Sequence, residues 1–113
     1  MKTIPLSDDL RHQIISTLQP LNPYKVILFG SYAYGKPNSD SDIDLIFVNK
    51  DEEYKSFQER IEMKIEILKK LDHFTQPIDI LAYTKKEWES LVMKNSSFIR
   101  EINEKGVLLE IAA

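Results

Sequence analysis

Cysteine is absent from this sequence of 113 residues, and its two histidines, His12 and His73, stand far apart. Disulfides and thiol chemistry are thereby excluded, and a zinc site, which draws on closely spaced Cys and His, is not expected. Glycine is scarce, with 3 residues, and no Gly/Ser/Pro-rich run, repeat or low-complexity tract divides the chain. No linker can be drawn, so residues 1–113 are read as one domain. No apolar run approaches the roughly 20 residues that span a bilayer. The opening stretch from Met1 to Asp9 lacks the apolar core of a secretion signal. A cytoplasmic protein without membrane attachment is expected, and the missing cysteine suits a reducing compartment. An excess of positive charge is missing too. The formal net charge is −3, so direct nucleic-acid binding, which needs a broad basic face, is not expected. A pocket for one nucleotide needs no such face.

What the chain does hold is an ordinary globular balance, 42% hydrophobic and 29% charged residues, enough for a core without staples. Ser7 as N-cap, Asp8 and Asp9 in the first turn and the stripe Leu10, Ile14, Ile15, Leu18 predict a first helix, ended by Pro20 and Pro23. Lys25 to Phe29 reads as a buried strand stopped by Gly30, and Ser31 to Ser41 as a loop or a short helical turn. Asp42 to Val48 is a second strand. Glu52 to Leu71 is the longest predicted helix, with Phe57, Ile61, Ile65, Leu68 and Leu71 at helical spacing. A third strand follows Pro77, from Ile78 to Tyr83. The capping box Thr84 to Glu87 opens a helix to about Met93, and a last helix runs from Ser97 to Lys105, stopped by Gly106. Val107, Leu108 and Leu109 read as an apolar tail. The order α-β-β-α-β-α-α predicts an α/β (α+β) fold with a small mixed sheet flanked by helices.

Side chains alternate across a strand, so Asp42 and Asp44 share one face while Ile43 and Leu45 share the other. Two adjacent carboxylates repel, and no Lys or Arg stands between them, which makes a divalent cation the natural partner. Asp79, between Ile78 and Ile80, repeats the pattern. With the second and third strands parallel and the first antiparallel to the second, Asp42, Asp44, Asp79, Gly30 and Ser31 meet at one edge of the sheet. Phosphoryl or nucleotidyl transfer uses such a set: two Mg²⁺ ions on hard oxygen ligands clamp the phosphate, and a glycine lets the backbone approach a triphosphate. Asp40 falls outside the spacing and reads as a loop residue.

Gly30-Ser31, then ten residues, then Asp42-Ile43-Asp44 resembles the signature of the DNA polymerase beta-like nucleotidyltransferase superfamily. The fuller string from Gly30 to Gly35 and on through Leu45, with the Asp79 strand and the Phe98 to Gly106 ending, is similar to the minimal nucleotidyltransferases (MNT). The resemblance implies a nucleotidyltransferase fold and an ATP-dependent enzyme. It assigns triphosphate binding to Gly30 and Ser31, both metals to Asp42 and Asp44, and completion of the site and activation of the incoming hydroxyl to Asp79. It also implies the antitoxin half of a HEPN–MNT module, which transfers AMP from ATP to a tyrosine of a HEPN ribonuclease toxin. The ribonuclease pattern of Arg, spacer and His-x-Tyr is not in this chain, so that partner would act in trans. Many relatives carry Arg where this chain has Tyr32 and Tyr34, leaving Lys36 or Lys25 as substitute phosphate cations. Two alternatives stand beside this reading: transfer to a small molecule such as an aminoglycoside, and a non-catalytic antitoxin that neutralises by docking. Tyr32 and Tyr34 could stack on adenine but read as packing groups. Trp88 and Phe98 read as core or partner surface rather than nucleotide pocket, and Ile102 as core or partner surface.

Overall fold

The first helix, α1 (Asp8–Leu18), starts where its cap predicts: the Ser7 hydroxyl accepts from the Leu10 N–H at 3.2 Å. A 3-10 turn, Gln19–Leu21, carries Pro20 and ends it. Strand β1 (Pro23–Phe29) follows, then a single helical turn, α2 (Ser31–Tyr34), then β2 (Ile43–Asn49). Helix α3 (Phe57–Leu71), strand β3 (Ile78–Thr84), helices α4 (Lys85–Lys94) and α5 (Ser97–Lys105) and strand β4 (Val107–Ile111) complete the order. The computed structural model describes residues 4–51 and 53–111. Met1 to Thr3 and Glu52, on which two of the sequence readings touch, lie outside the described residues.

The strands form one mixed sheet in the order β3-β2-β1-β4. β2 and β3 are parallel and joined through α3, while β1 is antiparallel to both its neighbours. On one face α1 and α3 bury Ile14, Leu18, Ile67 and Leu71 against Val26, Leu28, Leu45 and Phe47. On the other, α4 and α5 bury Trp88, Ile99 and Ile102 against Ile27, Ile46 and Val48. β2 is covered on both faces, which is why it is apolar from Leu45 to Val48. No described helix is long and apolar enough to cross a membrane.

Three expectations need correction. The apolar tail is strand β4, with Leu28 opposite Val107 and Ile27 opposite Leu108. Its sequence has no alternation to mark it, and its partner lies far upstream, so only tertiary pairing defines it. The long helix begins later than expected, at Phe57, because the Ser56 hydroxyl caps it by accepting from the Glu59 N–H at 3.1 Å. Its buried side also differs. Phe57, Ile61, Ile65 and Leu68 are exposed, whereas Ile67 and Leu71 are in the core with Met63 packed against them. The turn that faces the sheet is the 63–67–71 row, one of two apolar rows that periodicity alone could not rank. Ile67→Ala is therefore expected to cost about 2–5 kcal/mol in urea unfolding, and Ile65→Ala within about 0.5 kcal/mol of nothing. Equal effects would show that α3 is rotated differently.

Candidate active site

The parallel register between β2 and β3 sets Asp44 directly beside Asp79, with Ile43 beside Ile78 and Leu45 beside Ile80. Both acids point to the α4/α5 face, since their apolar flanking residues pack into the opposite core. Asp42 lies one residue ahead of β2 and two from Asp44, so the extended lead-in carries it to the same face. That lead-in is anchored by the Ile43 N–H donating to the Pro77 carbonyl at 2.9 Å, which ties the start of β2 to the start of β3. Asp42 and Asp79 are exposed and Asp44 is half-buried. The structure thus brings the three predicted acids to one rim.

β1 delivers the glycine to that rim. Phe29 is opposite Asp44 in the antiparallel pairing, and the chain leaves the strand at Gly30. Gly30 has φ +72°, in the region that L side chains rarely adopt, and a Cβ there would stand 2.3 Å from Asp44 Oδ2. The carboxylate therefore packs against the bare α-carbon. Ser31 follows as the first residue of α2, half-buried, and its carbonyl accepts from the Gly35 N–H at 3.0 Å. Asn38 organises the loop back to β2: its N–H donates to Ser41 Oγ at 2.9 Å, and its Oδ1 accepts from the Asp40 N–H at 2.8 Å. Asp40 is exposed there, as a loop residue.

Burial holds the Asp44 carboxyl above its ordinary range, and the neighbouring Asp79 and Asp42 push it in the same direction. Among the described residues the ion pairs are Arg60–Glu87, Lys86–Glu53 and Lys105–Glu101, and none of them includes Asp42, Asp44 or Asp79. Among the described residues, too, no three carboxylate or imidazole groups are gathered tightly enough to hold a metal ion unaided. The rim is open, not a closed cage. That suits Mg²⁺, which keeps several waters and takes one or two carboxylates together with phosphate oxygens of a substrate. Hard oxygen donors and their mutual repulsion fit this ion.

Tyr32 and Tyr34, which follow the glycine-serine pair, have other duties than phosphate binding. Tyr32 is 7% exposed, and its hydroxyl accepts from Gln76 Nε2, linking α2 to the segment before β3. Tyr34 has Lys105 Nζ 5.9 Å from its ring centroid. Sequence reasoning missed an aromatic pair at the rim. Phe98, from α5, meets Phe29 edge to face with centroids 5.8 Å apart. The position of Phe29, just before Gly30, was a usable signal for its half of the pair; Phe98 had none. A cleft of ≈ 770 Å³ lies at the other end of the sheet, against Tyr54, Phe57, Tyr83 and Thr84. None of the three acids lines it.

The family model for the nucleotidyltransferase domain matches residues 12–109, a span that holds Gly30, Ser31 and all three acids. No curated protein sequence matches the chain. Among solved structures, one from a toxin–antitoxin with AMP-PNP is 21% identical with a TM-score of 0.54, over 90% of this chain and 73% of that one. A second, from a double aspartate-to-glutamate mutant of the toxin–antitoxin MntA-HpeT, is 19% identical with a TM-score of 0.53, over 90% and 73%. A third, described as a nucleotidyltransferase from Sulfolobus solfataricus, is 20% identical with a TM-score of 0.50, over 88% and 74%. At these identities the structural likeness speaks for the fold, and it agrees with the family match. With the model spanning most of its length, the chain belongs to the nucleotidyltransferase domain family.

Proposed function

We propose that this chain is an antitoxin that transfers AMP from ATP to a tyrosine of a HEPN ribonuclease toxin in trans. The observation that carries the reading is the rim itself: Asp44 in register with Asp79, Asp42 beside them, and Gly30 pressed against the Asp44 carboxylate. The AMP-PNP in one toxin–antitoxin neighbour, and the mutated aspartates in another, support a nucleotide and a carboxylate pair for this fold.

In the proposed step the acceptor hydroxyl oxygen attacks the α-phosphorus of ATP. The bond from that phosphorus to the bridging oxygen breaks, pyrophosphate leaves, and AMP remains as an ester. Asp79, exposed at the start of β3, takes the hydroxyl proton. Gly30 allows the backbone to approach the triphosphate, and the Ser31 hydroxyl donates to a phosphate oxygen. Bound Mg²⁺, two ions on Asp42 and Asp44 with Asp79 completing the set, would supply the Lewis acidity that neutralises charge on the phosphate oxygens.

Incubation with α-labelled ATP, Mg²⁺ and the partner ribonuclease should label the ribonuclease, and Asp42→Asn should abolish the label. Labelling that survives Asp42→Asn and Asp44→Asn alike would defeat the mechanism. The second reading, neutralisation by docking alone, is favoured by the loss of the phosphate cation: Tyr32 is buried and bonded to Gln76. Inhibition of the ribonuclease that persists without Mg²⁺ and ATP would select it. Label recovered in a small molecule would select the third.

A further inference from the structure

We propose that Phe98, braced by Phe29, is the shelf on which the nucleotide's base stacks; the inference rests on the nucleotidyl-transfer reading of the rim. Phe29 lies opposite Asp44 on the same side of the sheet, and side chains of such cross-strand neighbours stand about 5 Å apart at Cβ. Phe98 meets Phe29 at an interplanar angle of 86°, while 48% of its own surface stays exposed. Its neighbours on α5, Ile99 and Ile102, are buried under the helix, so α5 holds Phe98 in place without covering it. An exposed ring held by Phe29, the cross-strand neighbour of Asp44, is an apolar platform at the edge of an otherwise polar site.

The other aromatic side chains near Gly30 are already engaged. Tyr32 is buried and bonded to Gln76, and Tyr34 has the Lys105 ammonium near its ring. The ribose sets the base of a triphosphate at the rim back from the carboxylates by about the length of a sugar, and Phe98, one ring beyond Phe29, offers a π-face on that side. Because two phenyl rings offer area and no hydrogen bonds, the shelf favours purines over pyrimidines by size and distinguishes ATP from GTP weakly.

Calorimetric titration of the full chain with Mg-ATP and, separately, with Mg-tripolyphosphate tests this. Phe98→Ala and Phe98→Leu should each weaken Mg-ATP about 5- to 150-fold, the range that loss of one base–aromatic stack produces, and leave tripolyphosphate unchanged. Phe98→Tyr should bind Mg-ATP like the wild type. In labelling kinetics the same loss should appear in KM with kcat nearly constant. Phe98→Leu keeps apolar contact with Phe29, so its loss of ATP affinity separates stacking from packing. Wild-type binding that falls in Asp44→Asn but not in either Phe98 variant would overturn the shelf and leave the nucleotidyl-transfer reading standing. A wild-type chain that binds neither Mg-ATP nor Mg-tripolyphosphate would overturn both.

Discussion

Replacing Asp44 by asparagine is expected to raise the melting temperature of the metal-free protein while abolishing nucleotidyl transfer. The two effects share one cause. Burial, then Asp79, then Asp42 disfavour the charged form of Asp44, so ionisation of that group works against folding when no cation is bound. The sign follows from the upward shift. The folded state binds the proton more tightly than the unfolded chain, so the group's contribution is fully present below the unfolded carboxylate value near pH 4. It is lost as pH rises through the higher folded value. The stability gap between Asp44→Asn and wild type should therefore open over that window and then level off at higher pH. Asparagine keeps the shape, removes the charge and can donate to Asp42 or Asp79.

The catalytic cost runs the other way. Charge stabilisation worth several kcal/mol in the transition state corresponds to about 10³-fold in rate, and the variant should fall by at least that order in labelling kinetics. Mg-ATP at roughly 100 times its Kd stabilises a binding protein by about 2.7 kcal/mol. Wild type should show that rise in thermal unfolding, and Asp44→Asn should show little of it. A variant that is less stable than wild type without metal, or equally active, would refute the electrostatic account of the rim.

Gly30→Ala should be the most damaging small substitution in the chain. At φ +72° and ψ −156°, an extended region that is essentially reserved for glycine, an L side chain costs about 1–3 kcal/mol in backbone strain, and on a domain of this size that lowers Tm by about 4–12 °C. The new Cβ would also stand 2.3 Å from Asp44 Oδ2, so the carboxylate or the α2 turn must move by roughly an ångström. Misplacement of that size costs about 10²-fold in catalysis. Labelling rate and melting temperature should fall together, unlike Asp44→Asn, where they part. An alanine variant with wild-type rate would mean that the rim tolerates displacement and that the close approach has no catalytic purpose.

Much of this was legible in the sequence because the signals were local. Ser7 and Thr84 each cap a helix through a bond to an N–H three residues on, and such caps need no tertiary context; the Ser56 cap, which sets the later start of α3, was not read. The acid/apolar alternation from Asp42 to Leu45 and from Ile78 to Ile80 placed both strands and the faces of their carboxylates, since strand geometry fixes side-chain direction. Gly30 could be read as a site of close approach, although only the coordinates identify Asp44 as what approaches. The buried side of α3 was not legible. Phe57, Ile61 and Ile65 satisfy the same helical period as Met63, Ile67 and Leu71, and the choice between them lies in what the sheet presents.

The residues alone thus determined the helices, the first three strands and the caps at Ser7 and Thr84, and marked three acids and a glycine as candidates, because each depends on neighbours within a few positions along the chain. Tertiary structure decided the rest. It set Asp44 beside Asp79, turned Val107 to Ile111 into a strand by pairing it with β1, and brought Phe98 onto Phe29. Each of these joins segments far apart in the chain, and their meeting depends on register and packing that no local pattern encodes.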